Sequence, residues 1–282
     1  KDIKGQITLI TGAASGIGRL MAIKFAKEGA ILVLWDIRMD LLEETKALAL
    51  AETEDAVIHL YECDLSQKEN IYNVADCVNK DVGKIDILVN NAGIVSGKKF
   101  LSCPDVLIER TMAVNIMAHM WLAKKFLPPM IEANHGHIVT ISSASSTTGV
   151  PGLADYCASK WAATGFDEAI RMELKQDGVT GVKTTCVCPY YINTGMFDGV
   201  KSPFIPILKP EWVVAQILRA VKRNKAVLYL PRTVGFVYLF RALLPTFLWD
   251  WISRVLGISK TMDSFKGRGD KWALGDKTKD EQ

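Results

Sequence analysis

The sequence predicts an α/β fold: a doubly wound sheet of seven parallel strands with helices on both faces, and a hydrophobic helical extension towards the C-terminal end. Short apolar runs alternate with longer helical patterns almost from the first residue, the order of βα units around a parallel sheet buried on both faces. The first run ends in a glycine-rich turn, and no composition break, repeat or low-complexity linker interrupts the alternation before about residue 232. Such units join through right-handed crossovers into one domain, here residues 1–231.

The expected strands are "QITLIT" (6–11), "ILVLWD" (31–36), "AVIHLYEC" (56–63), "IDILVN" (85–90), "HIVTIS" (137–142), "VKTTCVC" (182–188) and "AVLYL" (226–230). Helical periodicity fills 16–29, 39–53, 67–82, 105–133, 153–176 and 210–223. Residues 232–265 differ: "FVYLFRALLPTFLWDWISRVLGI" is rich in aromatics and leucine, and Pro245 should divide it into two short helices. These helices either cover the substrate edge of the sheet or form a monotopic patch with Trp249 and Trp251 at a lipid interface. Residues 266–282 read as a polar, solvated tail.

Composition bounds the function. The 282 residues are 49% hydrophobic and 23% charged, with a net charge of +3, which supplies a large core and no basic surface for nucleic acid. Six scattered cysteines without C-x-x-C fit a reducing compartment, and neither Cys186 with Cys188 nor His135 with His137 has the neighbours of a metal site, so no metal is expected. There is no run of 18 apolar residues to span a membrane, and the start at Lys1, without a methionine or signal peptide, suggests a fragment or processed form.

The first strand runs into "TGAASGIG", whose Gly12, Gly16 and Gly18 let backbone N–H groups approach a diphosphate at a helix N-terminus. The spacing is G-x-x-x-G-x-G rather than G-x-G-x-x-G. Asp36 ends the second strand, where a carboxylate accepts hydrogen bonds from ribose hydroxyls and repels a 2′-phosphate. That favours NAD over NADP, although Arg38 could hold a phosphate.

With these residues in view, the chain resembles the short-chain dehydrogenase/reductase family over about residues 4–231, in its form with one extended Rossmann domain. "TGAASGIG" is similar to that family's cofactor loop, "CDL" (63–65) to its adenine-contacting segment and "NNAG" (90–93) to the signature after the fourth strand. The resemblance implies dinucleotide contacts from Gly12, Ser15, Gly16, Ile17, Gly18, Asp36, Asp64, Leu65, Asn91, Ala92 and Gly93, and later from Tyr156, Lys160, Pro189, Ile192 and Thr194. It also implies a catalytic set of Asn115 in "MAVNIM", Ser143 in "ISS", and Tyr156 with Lys160 in "YCASK". One departure is plain: "PYYINT" has Tyr190 where the family has glycine, so the turn after the sixth strand must be shaped differently.

Tyr156 and Lys160, four apart, share one helix face, so an ammonium can lie near the phenol. Lowering a tyrosine pKa by roughly 3 units takes about 4 kcal/mol, which a cation and a positive nicotinamide could supply. Tyr156 is then the expected base, Ser143 the donor to the substrate oxygen, and Asn115, by resemblance, the holder of a water next to Lys160. The loop "YYINTGMFDGVKSPFIPILKP" is long and apolar, so the expected substrate is an extended hydrophobic alcohol or carbonyl.

Segments such as "LVLWDI" and "GVKTTCVCPY" resemble the retinol dehydrogenase and 17β-hydroxysteroid dehydrogenase branch of membrane-attached enzymes. This resemblance implies retinol and retinal as substrates, with a steroid or other lipid alcohol as the alternative. It also implies an anchor before Lys1, the endoplasmic reticulum membrane or lipid droplet surface facing the cytosol, and a homodimer packed through 105–133 and 153–176. A catalytically idle, dinucleotide-binding protein at a lipid surface is the reading from another class.

Overall fold

In the computed structural model, which describes residues 2–268, seven parallel strands form one sheet in the order β3-β2-β1-β4-β5-β6-β7. These are β1 (Ile7–Thr11), β2 (Ile31–Asp36), β3 (Ile58–Glu62), β4 (Ile87–Asn90), β5 (Gly136–Ile141), β6 (Val182–Pro189) and β7 (Val227–Leu230). Between them run α1 (Gly16–Lys27), α2 (Met39–Glu52), α3 (Lys68–Asp81), α4 (Asp105–Met112), α5 (Ala118–Glu132), α6 (Ala154–Gln176) and α7 (Pro210–Lys222).

Alternation along each strand sends side chains to opposite faces, and both faces are covered. Leu9 pairs with Val33 and Leu88, and with Ile138 beyond them this row packs under α3, α5 and α6 with Ile71, Phe126 and Leu174. The next residue of each strand, Ile10, Leu34, Val89 and Val139, meets α1, α2 and α7 through Phe25, Leu42 and Ile217. The strand order reverses between β1 and β4, which opens a crevice at their carboxyl ends.

The helical stretch expected at 105–133 is broken. A π-helical turn, Ala113–Met117, separates α4 from α5 and puts Asn115 at its centre. Such an insertion widens the helix locally, and here it turns the Asn115 amide onto the backbone of Ile94.

Pro245 divides the extension into α8 (Thr233–Leu243) and α9 (Thr246–Val255). Two polar contacts dock this pair beside the loop after β5: Arg241 Nη1 donates to the Thr147 carbonyl at 3.0 Å, and Trp249 Nε1 donates to Thr148 Oγ1 at 3.3 Å. Trp249 is 7% exposed, so it does not stand at a lipid interface as expected, whereas Trp251 is 60% exposed. The indole N–H needs a partner when enclosed, and Thr148 supplies it. Residues 269–282 of the expected polar tail lie outside the described residues. Its first residues do not trail into solvent: the amides of Lys266 and Gly267 both donate to the Asp198 carbonyl, at 2.8 and 3.1 Å.

Candidate active site

The crevice is a continuous cavity of about 560 Å³ along the carboxyl ends of β1, β2, β4, β5 and β6. Its polar end is lined by Gly12, Ser15, Gly16, Ile17, Gly18, Asp36, Asp64 and Leu65, and its middle by Asn91, Ala92 and Gly93. Ser143, Tyr156 and Lys160 line it opposite Pro189, Ile192 and Thr194. All sixteen residues expected to touch a dinucleotide thus border one space, together with Ser143. Asn115 lies behind this lining, fully buried.

The glycine loop is a tight cradle. Gly12 has φ of +65°, and a Cβ there would stand 2.8 Å from Ala92 Cα; one on Gly18 would stand 2.0 Å from the Gly12 carbonyl oxygen. Ser15 caps α1 in extended backbone, without a side-chain cap bond, and the amides of the first helical turn have no partner within the helix. A dinucleotide's diphosphate fits this end by charge and by shape.

Asp36 is held by the Ala14 amide at 3.0 Å and the Arg38 amide at 3.2 Å. Burial raises its pKa against the pull of those two amides. The Arg38 side chain turns to Asp40, with Nη2 to Oδ2 at 2.8 Å. Asp64 accepts from the Ser66 amide and hydroxyl, and Arg110 stands 3.7 Å away. Asn91 spans to β1, donating from Nδ2 to the Thr11 carbonyl at 2.8 Å, while Thr11 Oγ1 accepts from the amides of Asn91 and Ala92.

At the other end, Lys160 Nζ donates to the Ile141 carbonyl at 2.8 Å and lies 5.7 Å from the Tyr156 ring centre. Burial lowers the Lys160 pKa to about 8. The Tyr156 phenol behaves opposite to the sequence expectation: burial pushes its pKa well up, and a hydrogen bond from the Ser143 hydroxyl is the chief opposing influence. The ammonium gives one of its three donors to Ile141 and, at this distance from the ring, does not outweigh the loss of water around the phenol.

Asn115 Oδ1 accepts from the Ile94 amide at 2.9 Å, and Nδ2 donates to the Ile94 carbonyl and to Ser159 Oγ, both at 3.0 Å. The amide therefore clamps the loop after β4 to α6, and only the second lone pair of Oδ1 remains for a water. Tyr190, in the place where glycine was missed, donates its amide to the Leu230 carbonyl and pairs its hydroxyl with Ser202 at 2.9 Å, so the turn is tied to β7 and to the following loop. Among the described residues, no three His, Cys, Asp or Glu side chains gather as a metal site.

Sequence reasoning missed Thr11, Ser159, Arg110 and Arg268. The first two stand inside "TGAASGIG" and "YCASK" and act as braces, a role the motifs do not show. Arg268, at the edge of the polar tail, reaches the glycine loop, with Nη1 donating to Ser15 Oγ at 3.0 Å.

The model of the short chain dehydrogenase family matches residues 6–203. The chain belongs to this family. Human epidermal retinol dehydrogenase 2 (Homo sapiens) is 49% identical over 268 residues, covering 94% of this chain and 86% of that protein. Human retinol dehydrogenase 10 is 42% identical, with the same coverage of each chain. Among solved structures, a short chain dehydrogenase/reductase from Burkholderia phymatum in complex with NAD superposes with a TM-score of 0.78 at 23% identity, covering 86% of this chain and 95% of that one, and shares the fold. A metagenomic short-chain oxidoreductase in complex with NADP superposes at 0.68 with 28% identity, covering 81% and 96%. Membership makes the chain an NAD(P)-dependent oxidoreductase acting on CH–OH groups.

Proposed function

We propose that the protein interconverts all-trans-retinol and all-trans-retinal with NAD, working at a lipid surface. The observation that carries this reading is the opening of the Tyr156, Ser143 and Lys160 cluster onto a cavity whose far wall is apolar: Val150, Leu153, Phe197, Phe204, Val237 and Leu256. Such a wall suits a long polyene and offers nothing to a sugar or a small acid. The relatives named retinol dehydrogenases, at 42–49% identity, support the same substrate.

The glycine loop and the first turn of α1 would hold the diphosphate, and Asp36 the adenine ribose, with its charge disfavouring a 2′-phosphate. When bound, the dinucleotide supplies a hydride acceptor with a positively charged ring. Tyr156 would act as the phenolate, having given up its own proton to solvent under the positive charge of the bound ring and against the burial that raises its pKa, and would then take the alcohol proton. Ser143 would turn its one proton from the phenol to the substrate oxygen, and Lys160, held on the Ile141 carbonyl, keeps a positive charge behind the phenol. Asn115 fixes the loop at 94 and α6 relative to each other, so that Tyr156 keeps its place. Phe197 packs edge-on to the Tyr156 ring at 5.6 Å and excludes water from it.

In this reading, residues up to 231 carry the chemistry and the outer faces of α8 and α9, within 232–265, meet the lipid. Among the described residues, no helix is long and apolar enough to cross a membrane. Yet α8 and α9 expose Phe236, Phe240, Leu243, Phe247 and Trp251, while Val234, Val237 and Leu256 of the same segment line the cavity. One element then touches both the lipid in which retinol dissolves and the site that consumes it. By family resemblance, two copies pair through α4, α5 and α6; a sedimentation mass of one chain would contradict that.

The test compares kcat/KM for retinol and a 17β-hydroxysteroid, with NAD and with NADP, on protein bound to vesicles. Retinol with NAD should lead. A steroid favoured by more than about tenfold, roughly 1.4 kcal/mol in transition-state binding, would overturn the substrate assignment.

A further inference from the structure

Residues 261–268 form a strap over the cleft. Thr261 accepts through its carbonyl from the Lys201 amide at 3.1 Å, and its Oγ1 meets the Tyr191 hydroxyl at 3.1 Å. Ser264 Oγ donates to the Gly199 carbonyl at 2.7 Å. Gly199 has φ of +82°, and the Ser264 carbonyl oxygen lies 2.2 Å from where its Cβ would be, so the strap is seated too closely for another residue at 199. Phe265 occupies the space a side chain at Gly97 would need, with a ring atom 1.9 Å from that Cβ position. Its ring stacks edge-on to Phe197 at 6.3 Å, and Phe197 in turn covers Tyr156. The strap is thus packed into the substrate loop and the loop after β4.

Its end delivers a guanidinium to the phosphate loop. Arg268 Nη1 donates to Ser15 Oγ at 3.0 Å and Nη2 to the Thr194 carbonyl, joining the two walls of the cleft. Nη2 lies 3.6 Å from a Cβ built on Gly16, and Nε lies 3.6 Å from one built on Gly195. This is the mouth of the glycine cradle, beside the first-turn amides of α1, which have no partner within the helix. Carboxylates bear on each guanidinium lining the cavity: Arg38 pairs with Asp40, Arg110 stands near Asp64, and the Asp36 charge acts on Arg268. Arg268 stands where a diphosphate would lie across the helix end, and its planar fork matches phosphate oxygens.

We infer that Arg268 is a ligand of the dinucleotide's diphosphate, and that the strap closes the cofactor into the cleft from the side opposite the glycine loop. This rests on the dinucleotide reading of the cleft. Nη1 and Nη2 exchange Ser15 and the Thr194 carbonyl for phosphate oxygens, and no bond is made or broken. Because the same strap carries Phe265 onto Phe197, cofactor closure and the apolar wall of the substrate site are mechanically joined.

The test uses the full chain and measures equilibrium binding of NADH, ADP-ribose and adenosine by calorimetry, for wild type, Arg268→Gln and Arg268→Lys. Loss of a charge-assisted phosphate fork in Arg268→Gln should raise Kd for NADH and ADP-ribose about tenfold or more, and leave adenosine within about twofold. Arg268→Lys should recover part of that loss, since it restores the charge and not the fork. Unchanged affinities in Arg268→Gln overturn the inference, as does tighter binding, which would make the guanidinium an obstruction. An equal loss for adenosine also overturns it, because the strap would then shape the adenine end. Wild type that binds adenosine and none of the diphosphates, or nothing at all, refutes the dinucleotide reading itself, a different result from failure of the strap alone.

Discussion

Lys160→Met should change the pH dependence of stability in a definite direction. The ammonium is 3% exposed, and burial takes its pKa from the ordinary 10.5 to about 8. The sign follows from which state holds the proton. Below pH 8 both states carry it, and the folded chain bears the whole cost of a buried charge. Between about 8 and 10.5 the unfolded chain keeps a proton that the folded chain has released, so stability rises with pH through this window. The contribution is largest above the unfolded value and is lost as pH falls through the folded one. Over the full window it amounts to about 3 kcal/mol, and between about pH 7.5 and 9.5 to about 2 kcal/mol. The assay is urea unfolding of the full chain and of Lys160→Met at both pH values, without dinucleotide. Other lysines and tyrosines titrate in both proteins and cancel in the difference. Wild type should gain about 2 kcal/mol on the variant as pH rises. A gap that stays constant or moves the other way would refute the buried ammonium.

Gly18→Ala places a methyl 2.0 Å from the Gly12 carbonyl oxygen and 2.6 Å from Asn91 Nδ2, so the loop must open; Kd for NADH should rise at least about tenfold by titration, and wild-type affinity would contradict the cradle. Asp36→Ser removes the charge that faces the ribose, and the kcat/KM ratio of NADP to NAD should climb about tenfold or more; an unmoved ratio would show that Asp36 does not set cofactor choice. Phe247→Ser with Trp251→Ser should cut flotation with vesicles about tenfold or more and leave Tm nearly unchanged, since these side chains are 76% and 60% exposed. Trp249→Ser, buried on Thr148, should lower Tm instead, and the reverse pattern of the two variants would undo the proposed lipid face.

Much of this could be read in the sequence because a doubly wound sheet repeats one rule. Strands buried on both faces show as unbroken apolar runs, so β2 (Ile31–Asp36) came out to the residue, while β3, an edge strand with only Ile58 buried, is shorter than its run. The glycine loop, Asp36 and the Tyr156–Lys160 pair were legible because their chemistry needs those residue types at fixed spacing along one element. The π-helical turn at Asn115 was not, because a one-residue widening leaves hydrophobic periodicity almost intact and is decided by where the amide finds Ile94. Trp249 was misplaced for a related reason. An indole in an apolar segment looks alike whether it faces lipid or a threonine on another element. Arg268 lay in a stretch whose composition reads as solvated, and only the folding of 261–268 onto the Asp198–Gly199 turn brings it to Ser15. For the phenol, sequence shows the ammonium and hides the desolvation around the ring, which raises its pKa and is what a positive nicotinamide would have to overcome.

The central claim is that Tyr156 receives the proton of the alcohol as hydride leaves the carbinol carbon. Rapid-mixing measurement of nicotinamide reduction by retinol, with saturating NAD on vesicle-bound protein, compares wild type with Tyr156→Phe after both have been shown to bind NADH equally. Removal of the one hydroxyl should slow the first turnover by about 10²-fold or more. A variant that reduces the cofactor within a few-fold of the wild-type rate would contradict the account.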